Sequence, residues 1–250
     1  MTVNVKEYLD STYLKTPEQA GISETETLEK VKALVQEAID NDFYAVMIRP
    51  DYVSNARRMI DNAGKNVKVG TVISFHKGNN PTEDKLHEAE KAIKDGADEL
   101  DFVLNYTAFK SGNIQSVAKE VKTCNEFVLN HGKVIKWIIE AAALNDEQIG
   151  RITNLIKTVT LENFPDKAKN VFVKSSTGFY KTSDGRPNGA TPENIKIMLE
   201  HAGELPVKAA GGVRTYEEAM EMITLGVKRI GTSSAKNIAE GINTSSKSDY

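Results

Sequence analysis

The chain carries a single cysteine, Cys124, and four histidines, and it has no long apolar run. One thiol excludes an internal disulfide or a cysteine-built zinc site and gives no reason to expect an oxidising compartment. The histidines, His76, His87, His131 and His201, are scattered without metal-ligand spacing, so surface or loop roles are expected and no metal is called for. Stretches such as Trp137-Ile138-Ile139 and Ala45-Val46-Met47-Ile48 fall far short of the roughly 18–20 residues of a membrane span. Excess charge is missing too. The 32 Lys+Arg against 35 Asp+Glu leave −3 over 250 residues, so bulk electrostatics makes no case for a nucleic-acid or anionic-membrane partner. No apolar leader is visible in Met1-Thr2-Val3-Asn4-Val5, and a cytoplasmic protein is expected.

What is present is a repeat of short β-branched runs and longer helical patterns. Strands are expected at Tyr8–Tyr13, Ala45–Arg49, Lys68–Phe75, Glu99–Asn105, Val134–Glu140, Val171–Ser176, Val207–Gly211 and Arg229–Ser233, with starts roughly 22 to 37 residues apart. Helix-start signatures lie between them: Ser23, Asn145 and Thr215 each stand three residues before Glu or Gln, and Thr191-Pro192 pairs a cap with a first-turn proline. Between Asn113 and Asn130, the residues Ile114, Val117, Val121, Cys124 and Val128 share one helical stripe, which places the thiol in the core. The charged segment Glu83–Lys94 reads as a solvated helix face. Eight strand–helix pairs without a linker or composition shift predict a single (β/α)8 TIM barrel over residues 1–250, with 243–250 as a tail. A doubly wound open sheet is the competing architecture, but its Gly-rich turn after the first strand is missing.

Charged residues interrupt several of these strands: Asp10, Asp101, Lys136, Glu140, Lys174 and Lys208. Period two puts Lys174 on the side of Phe172 and Ser176, and Asp101 on the side of Val103 and Asn105. If those sides face inward, one barrel mouth collects three lysines and at least two carboxylates. A buried charge needs a partner or a function, so the cluster is either an ion-pair network or a reactive centre. Several lysines from different strands favour the second. Desolvation and a neighbouring ammonium both lower a lysine pKa, and a neutral amine attacks a carbonyl to form an imine. The imine is an electron sink for making or breaking an adjacent C–C bond, and a carboxylate such as Asp101 moves the protons.

Two glycine-rich segments, Ala210-Gly211-Gly212-Val213-Arg214-Thr215 and Gly231-Thr232-Ser233-Ser234, follow the seventh and eighth expected strands. In barrels those two loops commonly hold phosphate on exposed backbone N–H groups, although tight βα turns also need small residues. Thr177-Gly178 adds a third loop beside Lys174. From the residues alone, a Schiff-base aldolase, another phosphosugar barrel enzyme and a catalytically silent phosphate-binding barrel all stay open.

The strings Asp95-Gly96-Ala97-Asp98-Glu99-Leu100-Asp101-Phe102-Val103-Leu104-Asn105, Val173-Lys174-Ser175-Ser176-Thr177-Gly178-Phe179, Val207-Lys208-Ala209-Ala210-Gly211-Gly212-Val213-Arg214-Thr215 and Gly231-Thr232-Ser233-Ser234 resemble, in order and spacing, the class I deoxyribose-phosphate aldolases. The resemblance runs over nearly the whole chain. It implies Lys174 as imine-forming nucleophile, Lys208 as the neighbour lowering its pKa, and Asp101 as proton-transfer acid/base. It implies Lys136 and Asp10 as supporting polar residues, and Gly178, Gly211, Gly212, Val213, Arg214, Gly231, Ser233 and Ser234 as the phosphate site. A small phosphosugar and aldehydes are the implied substrates, with no cofactor, an imine at C1 and cleavage expected at C3–C4. A homodimer is the expected assembly. By the same resemblance, Tyr250 at the chain end assists proton transfer at the acetaldehyde carbon. Two departures stand out: Tyr180–Asn188 forms a longer loop that brings Lys181 and Arg186 toward the expected phosphate, and Met47 stands where many members have Cys.

Overall fold

A computed structural model describes residues 3–183 and 185–241. The β-branched runs form the eight expected strands: β1 (Leu9–Tyr13), β2 (Ala45–Ile48), β3 (Lys68–Ile73), β4 (Glu99–Val103), β5 (Val134–Ile138), β6 (Val171–Lys174), β7 (Val207–Ala210) and β8 (Arg229–Thr232). All pair in parallel in sequence order, and β8 returns to β1 through Asp10↔Gly231, which closes the barrel. Most of the strands end one or two residues before the sequence pattern suggests. The residues cut off are those that leave the sheet to build the mouth, among them Asn105, Glu140 and Ser176.

The helices are α1 (Pro17–Ala20), α2 (Glu24–Asn41), α3 (Val53–Asn62), α4 (Thr82–Lys94), α5 (Tyr106–Lys110), α6 (Ile114–Asn130), α7 (Asp146–Asn163), α8 (Pro192–Ala202), α9 (Tyr216–Leu225) and α10 (Ala235–Glu240). Reciprocal capping boxes start α2, α7 and α9 at Ser23, Asn145 and Thr215, and Thr191 accepts from the Asn194 N–H at the head of α8. Thr16 and Gln19 form a further box at α1 that the sequence reading passes over. Each such cap contributes about 1 kcal/mol by satisfying an amide that the helix itself leaves unpaired.

Strand alternation sorts the barrel into two environments. Leu100, Phe102, Ile135, Trp137, Val173, Val207 and Ile230 join one large core with the helices, including Val117, Val121, Cys124 and Val128 of α6. Trp137 is fully buried there, and its indole N–H donates to Asn125 Oδ1 at 2.9 Å, so the ring enters the core without an orphaned donor. The alternate residues face the lumen and carry the charges. One expectation fails on the outside: α4 is not a purely solvated face. Lys85 is fully buried and donates to Gly78 O at 2.7 Å, to Val103 O at 2.8 Å and to Glu120 of α6. Its position in the apolar stripe of α4, with Ala89 and Ala92, turns it inward, and three acceptors make that burial tolerable.

Candidate active site

Asp101 stands at the centre of the lumen. Its Oδ2 accepts from Lys174 Nζ at 2.8 Å and from Lys208 Nζ at 2.9 Å, and its Oδ1 accepts from Lys136 Nζ at 2.8 Å. The register explains the convergence, because Asp101 lies opposite Lys136 on β5, while Lys174 lies opposite Lys208 on the next strand pair. A further layer supports this one. Lys136 reaches Glu99 Oε2 at 2.6 Å, Lys208 lies 2.5 Å from Asp10 Oδ2, and Arg229 bridges Asp10 and Glu99 with contacts of 2.7 and 2.8 Å. The structure therefore joins the sequence-predicted Lys174, Lys208, Asp101, Lys136 and Asp10 in one network. It also adds Glu99 and Arg229, which the sequence reading missed. Period two offered a signal for Glu99, which shares a face with Asp101, whereas Arg229 is placed only by the register that sets it opposite Lys208.

The electrostatics separate the members. Burial raises the Asp10 pKa, but Arg229, Lys208 and Lys136 outweigh it and hold the group at about 2. Burial also opposes ionisation of Asp101, yet Lys136, Lys174 and Lys208 hold it well below the usual carboxylate range. Burial lowers Lys136, but Asp101, Glu99 and Asp10 reverse that and raise it. Lys174 goes the other way. Its burial dominates, Lys208 and Lys136 add like charge, and Asp101 only partly compensates, so its pKa falls to about 8. Lys174 thus supplies neutral amine far more readily than an ordinary lysine near physiological pH.

The glycine loops meet at the mouth. Gly178 and Gly211 both have positive φ, and a Cβ on Gly211 would stand 2.9 Å from Gly189 Cα and 3.6 Å from Gly178 Cα. Only glycine permits that approach of the loops after β6 and β7. Gly231 backs onto Lys208, where a Cβ would meet Cε at 3.1 Å. Gly212 and Ser233 are exposed and Val213 is buried. The N–H groups of Arg214 and Thr215 donate to Glu218 Oε2 at 2.7 and 3.1 Å, and the Ser234 N–H donates to Thr232 Oγ1 at 2.9 Å. Ser233 lines a cleft with Thr12, Tyr13, Lys15, Lys30 and Phe179. Two lysines there, and a Tyr13 hydroxyl with no hydrogen-bond partner among the described residues, are positive and donor groups that the sequence reading did not select. Met47 lies in a small apolar cluster with Leu14 and Val72, topped by Phe75 and Phe179, so its side chain packs at the mouth. Lys181 lines a separate cleft with His76 and Tyr106. Tyr250 lies outside the described residues.

Residues 8–241 match the model of the DeoC/LacD family of aldolases. The chain belongs to this family. It is 38% identical over 240 residues to the deoxyribose-phosphate aldolase of Thermococcus gammatolerans, a match covering 96% of each chain. Against the deoxyribose-phosphate aldolase of Staphylococcus haemolyticus the identity is 36% over 251 residues, or 99% of this aldolase and 100% of that one. Among solved structures, the tetrameric deoxyribose phosphate aldolase of Aeropyrum pernix superposes with a TM-score of 0.76 at 30% identity, covering 94% of this chain and 89% of that one. No helix among the described residues of this aldolase is long and apolar enough to cross a membrane.

Proposed function

We propose that this aldolase is an aldehyde-lyase that reversibly cleaves 2-deoxy-D-ribose 5-phosphate to acetaldehyde and D-glyceraldehyde 3-phosphate through an imine on Lys174. The observation that carries the reading is a buried amine with a pKa near 8, 2.8 Å from an ionised carboxylate and beside a second lysine. Neutral Lys174 adds to the C1 carbonyl, and loss of water leaves the protonated imine. Asp101 takes the proton of the C3 hydroxyl as the electron pair of the broken bond moves toward the imine nitrogen. Carbon balance corrects the bond expected from the sequence: a two-carbon and a three-carbon product require C2–C3 to break, not C3–C4. Return of the proton to C2 of the enamine, then hydrolysis, releases acetaldehyde and the free amine.

The phosphate is assigned to Gly178, Gly211, Gly212, Val213, Arg214, Gly231, Ser233 and Ser234, with Lys15, Lys30 and Tyr13 in the adjoining cleft. The convergence of these loops and the basic cleft beside Ser233 support it. The reading includes one catalytic domain over residues 1–250, a cytoplasmic location and a homodimer, the last open to analytical ultracentrifugation. Borohydride trapping tests the chemistry. Reduction in the presence of 2-deoxyribose 5-phosphate adds substrate mass at Lys174, and Lys174→Leu, still folded by circular dichroism, takes up none. An unmodified Lys174 in the wild type overturns the imine reading.

A further inference from the structure

Glu140 follows β5 and is used by no step above. It is buried and has a left-handed backbone (φ 54°, ψ 63°) that an L-residue adopts only when its surroundings impose it. Its carboxyl makes no ion pair among the described residues. Instead, Ser176 Oγ lies 2.9 Å from Oε1, the Thr177 N–H donates to Oε1 at 3.3 Å, and the Thr177 hydroxyl donates to Oε2.

The protons around Ser176 can be counted. Its hydroxyl carries one, yet Oγ is in hydrogen-bond contact with two acceptors, Glu140 Oε1 and the carbonyl of Asn188. If Glu140 is ionised, one of those oxygen–oxygen contacts has no hydrogen in it. A proton on Oε1 satisfies both: Glu140 donates to Ser176 Oγ, and Ser176 donates to Asn188 O. Thr177 has no such conflict, since its oxygen accepts from the Phe179 N–H at 3.0 Å while its proton goes to Glu140.

We propose that Glu140 is a positioning residue held as a neutral acid, whose proton relays through Ser176 to clamp Asn188, and through it Tyr180, beside Gly178. Asn188 is the other half of the clamp, with its side-chain amide donating to Gly178 O at 2.9 Å and Tyr180 O at 3.2 Å. The clamp therefore sets where the loop after β6 lies against Gly178 and Gly211. Burial favours the neutral acid and exceeds the opposing pull of the Thr177 and Ser176 hydrogen bonds and of the Lys174 charge, while Tyr106 is the other titratable group coupled to Glu140. Ionisation at high pH removes the donated proton and loosens the loop.

Cleavage by endoproteinase Lys-C after the exposed Lys181 reads the clamp without depending on substrate or activity, so it can fail while the imine reading stands. Glu140→Ala is cleaved there about tenfold faster than wild type, the effect of losing a hydrogen bond of ordinary net worth. Glu140→Gln, whose amide NH2 donates to Ser176 and whose carbonyl accepts from the Thr177 hydroxyl, gives up only the long Thr177 N–H contact and keeps most of the wild-type protection. As pH rises, protection falls in wild type but not in Glu140→Gln, which also cancels the protease's own pH response. The infrared band of a buried carboxylic acid, shifted by deuteration, is present in wild type at neutral pH and missing from Glu140→Gln. A Gln variant as labile as Ala, or no such band in wild type, overturns the proposal.

Discussion

In the lumen, Lys136, Lys174, Lys208 and Arg229 face three carboxylates, Asp10, Glu99 and Asp101, so full ionisation leaves one positive charge in excess in a water-poor space. The excess is relieved most easily at the amine with the weakest claim on an anion. Lys136 holds two carboxylates and Lys208 two, whereas Lys174 shares a single oxygen of Asp101 with Lys208. That inequality, more than the presence of a lysine, is what singles out Lys174 for the proposed role of nucleophile. Removing a like charge from beside it raises its pKa from about 8. The limb of kcat/KM that reports Lys174 in the free enzyme should therefore move to higher pH in Lys208→Met, with about tenfold less neutral amine at neutral pH for each unit moved. A lowered rate with an unmoved limb assigns Lys208 some other task. The strand lysines and Asp101 were legible in the sequence because a charge amid β-branched residues stands out. Glu99 and Arg229 sit at the first residues of β4 and β8, where a charge reads as an ordinary strand end until the register places it inside.

At the scale of the element, alternation and capping made the fold readable: eight apolar runs and four of the helix starts are local facts that tertiary contacts did not override. Two kinds of element resisted. Glu140 belongs to an expected strand that instead turns left-handed, a choice imposed by Ser176 and Thr177 more than 30 residues away. The α4 helix looked solvated because its charges are many, and the inward one is betrayed only by its phase with Ala89 and Ala92. Lys85 and Glu120 join α4 to α6, and Lys85 also holds the loop after β3 and the end of β4. Lys85→Met should destabilise the aldolase by about 3–5 kcal/mol, because it strands a buried carboxyl and two carbonyls. Adding Glu120→Leu should recover part of that loss, since the pair is then replaced by apolar groups. Denaturant midpoints of the four proteins in the cycle measure the coupling, and strictly additive losses argue that the two side chains act independently.

For the whole molecule the charged lumen is a structural girdle as well as a site. Its members come from β1, β4, β5, β6, β7 and β8, and Asp10 stands at the seam where the last strand meets the first. Closure and the proposed chemistry therefore share the same carboxylates, which fixes how acid attacks the fold. The Asp10 pKa is depressed to about 2 in the folded chain, below the value near 3.9 of an unfolded aspartate. Its contribution is present above the unfolded value and is lost as pH falls through the folded one, and Asp101 acts in the same direction. Stability should accordingly fall between about pH 4 and pH 2, with Asp10 accounting for about 2 kcal/mol of the change. Asp10→Asn removes the titrating group while keeping its shape. It lowers stability at neutral pH, since Arg229 and Lys208 lose an anion, and it flattens the acid decline by the same amount. Urea unfolding at a series of pH values separates the two effects. A variant whose acid decline is as steep as that of the wild type places the acid-sensitive carboxylate elsewhere in the girdle.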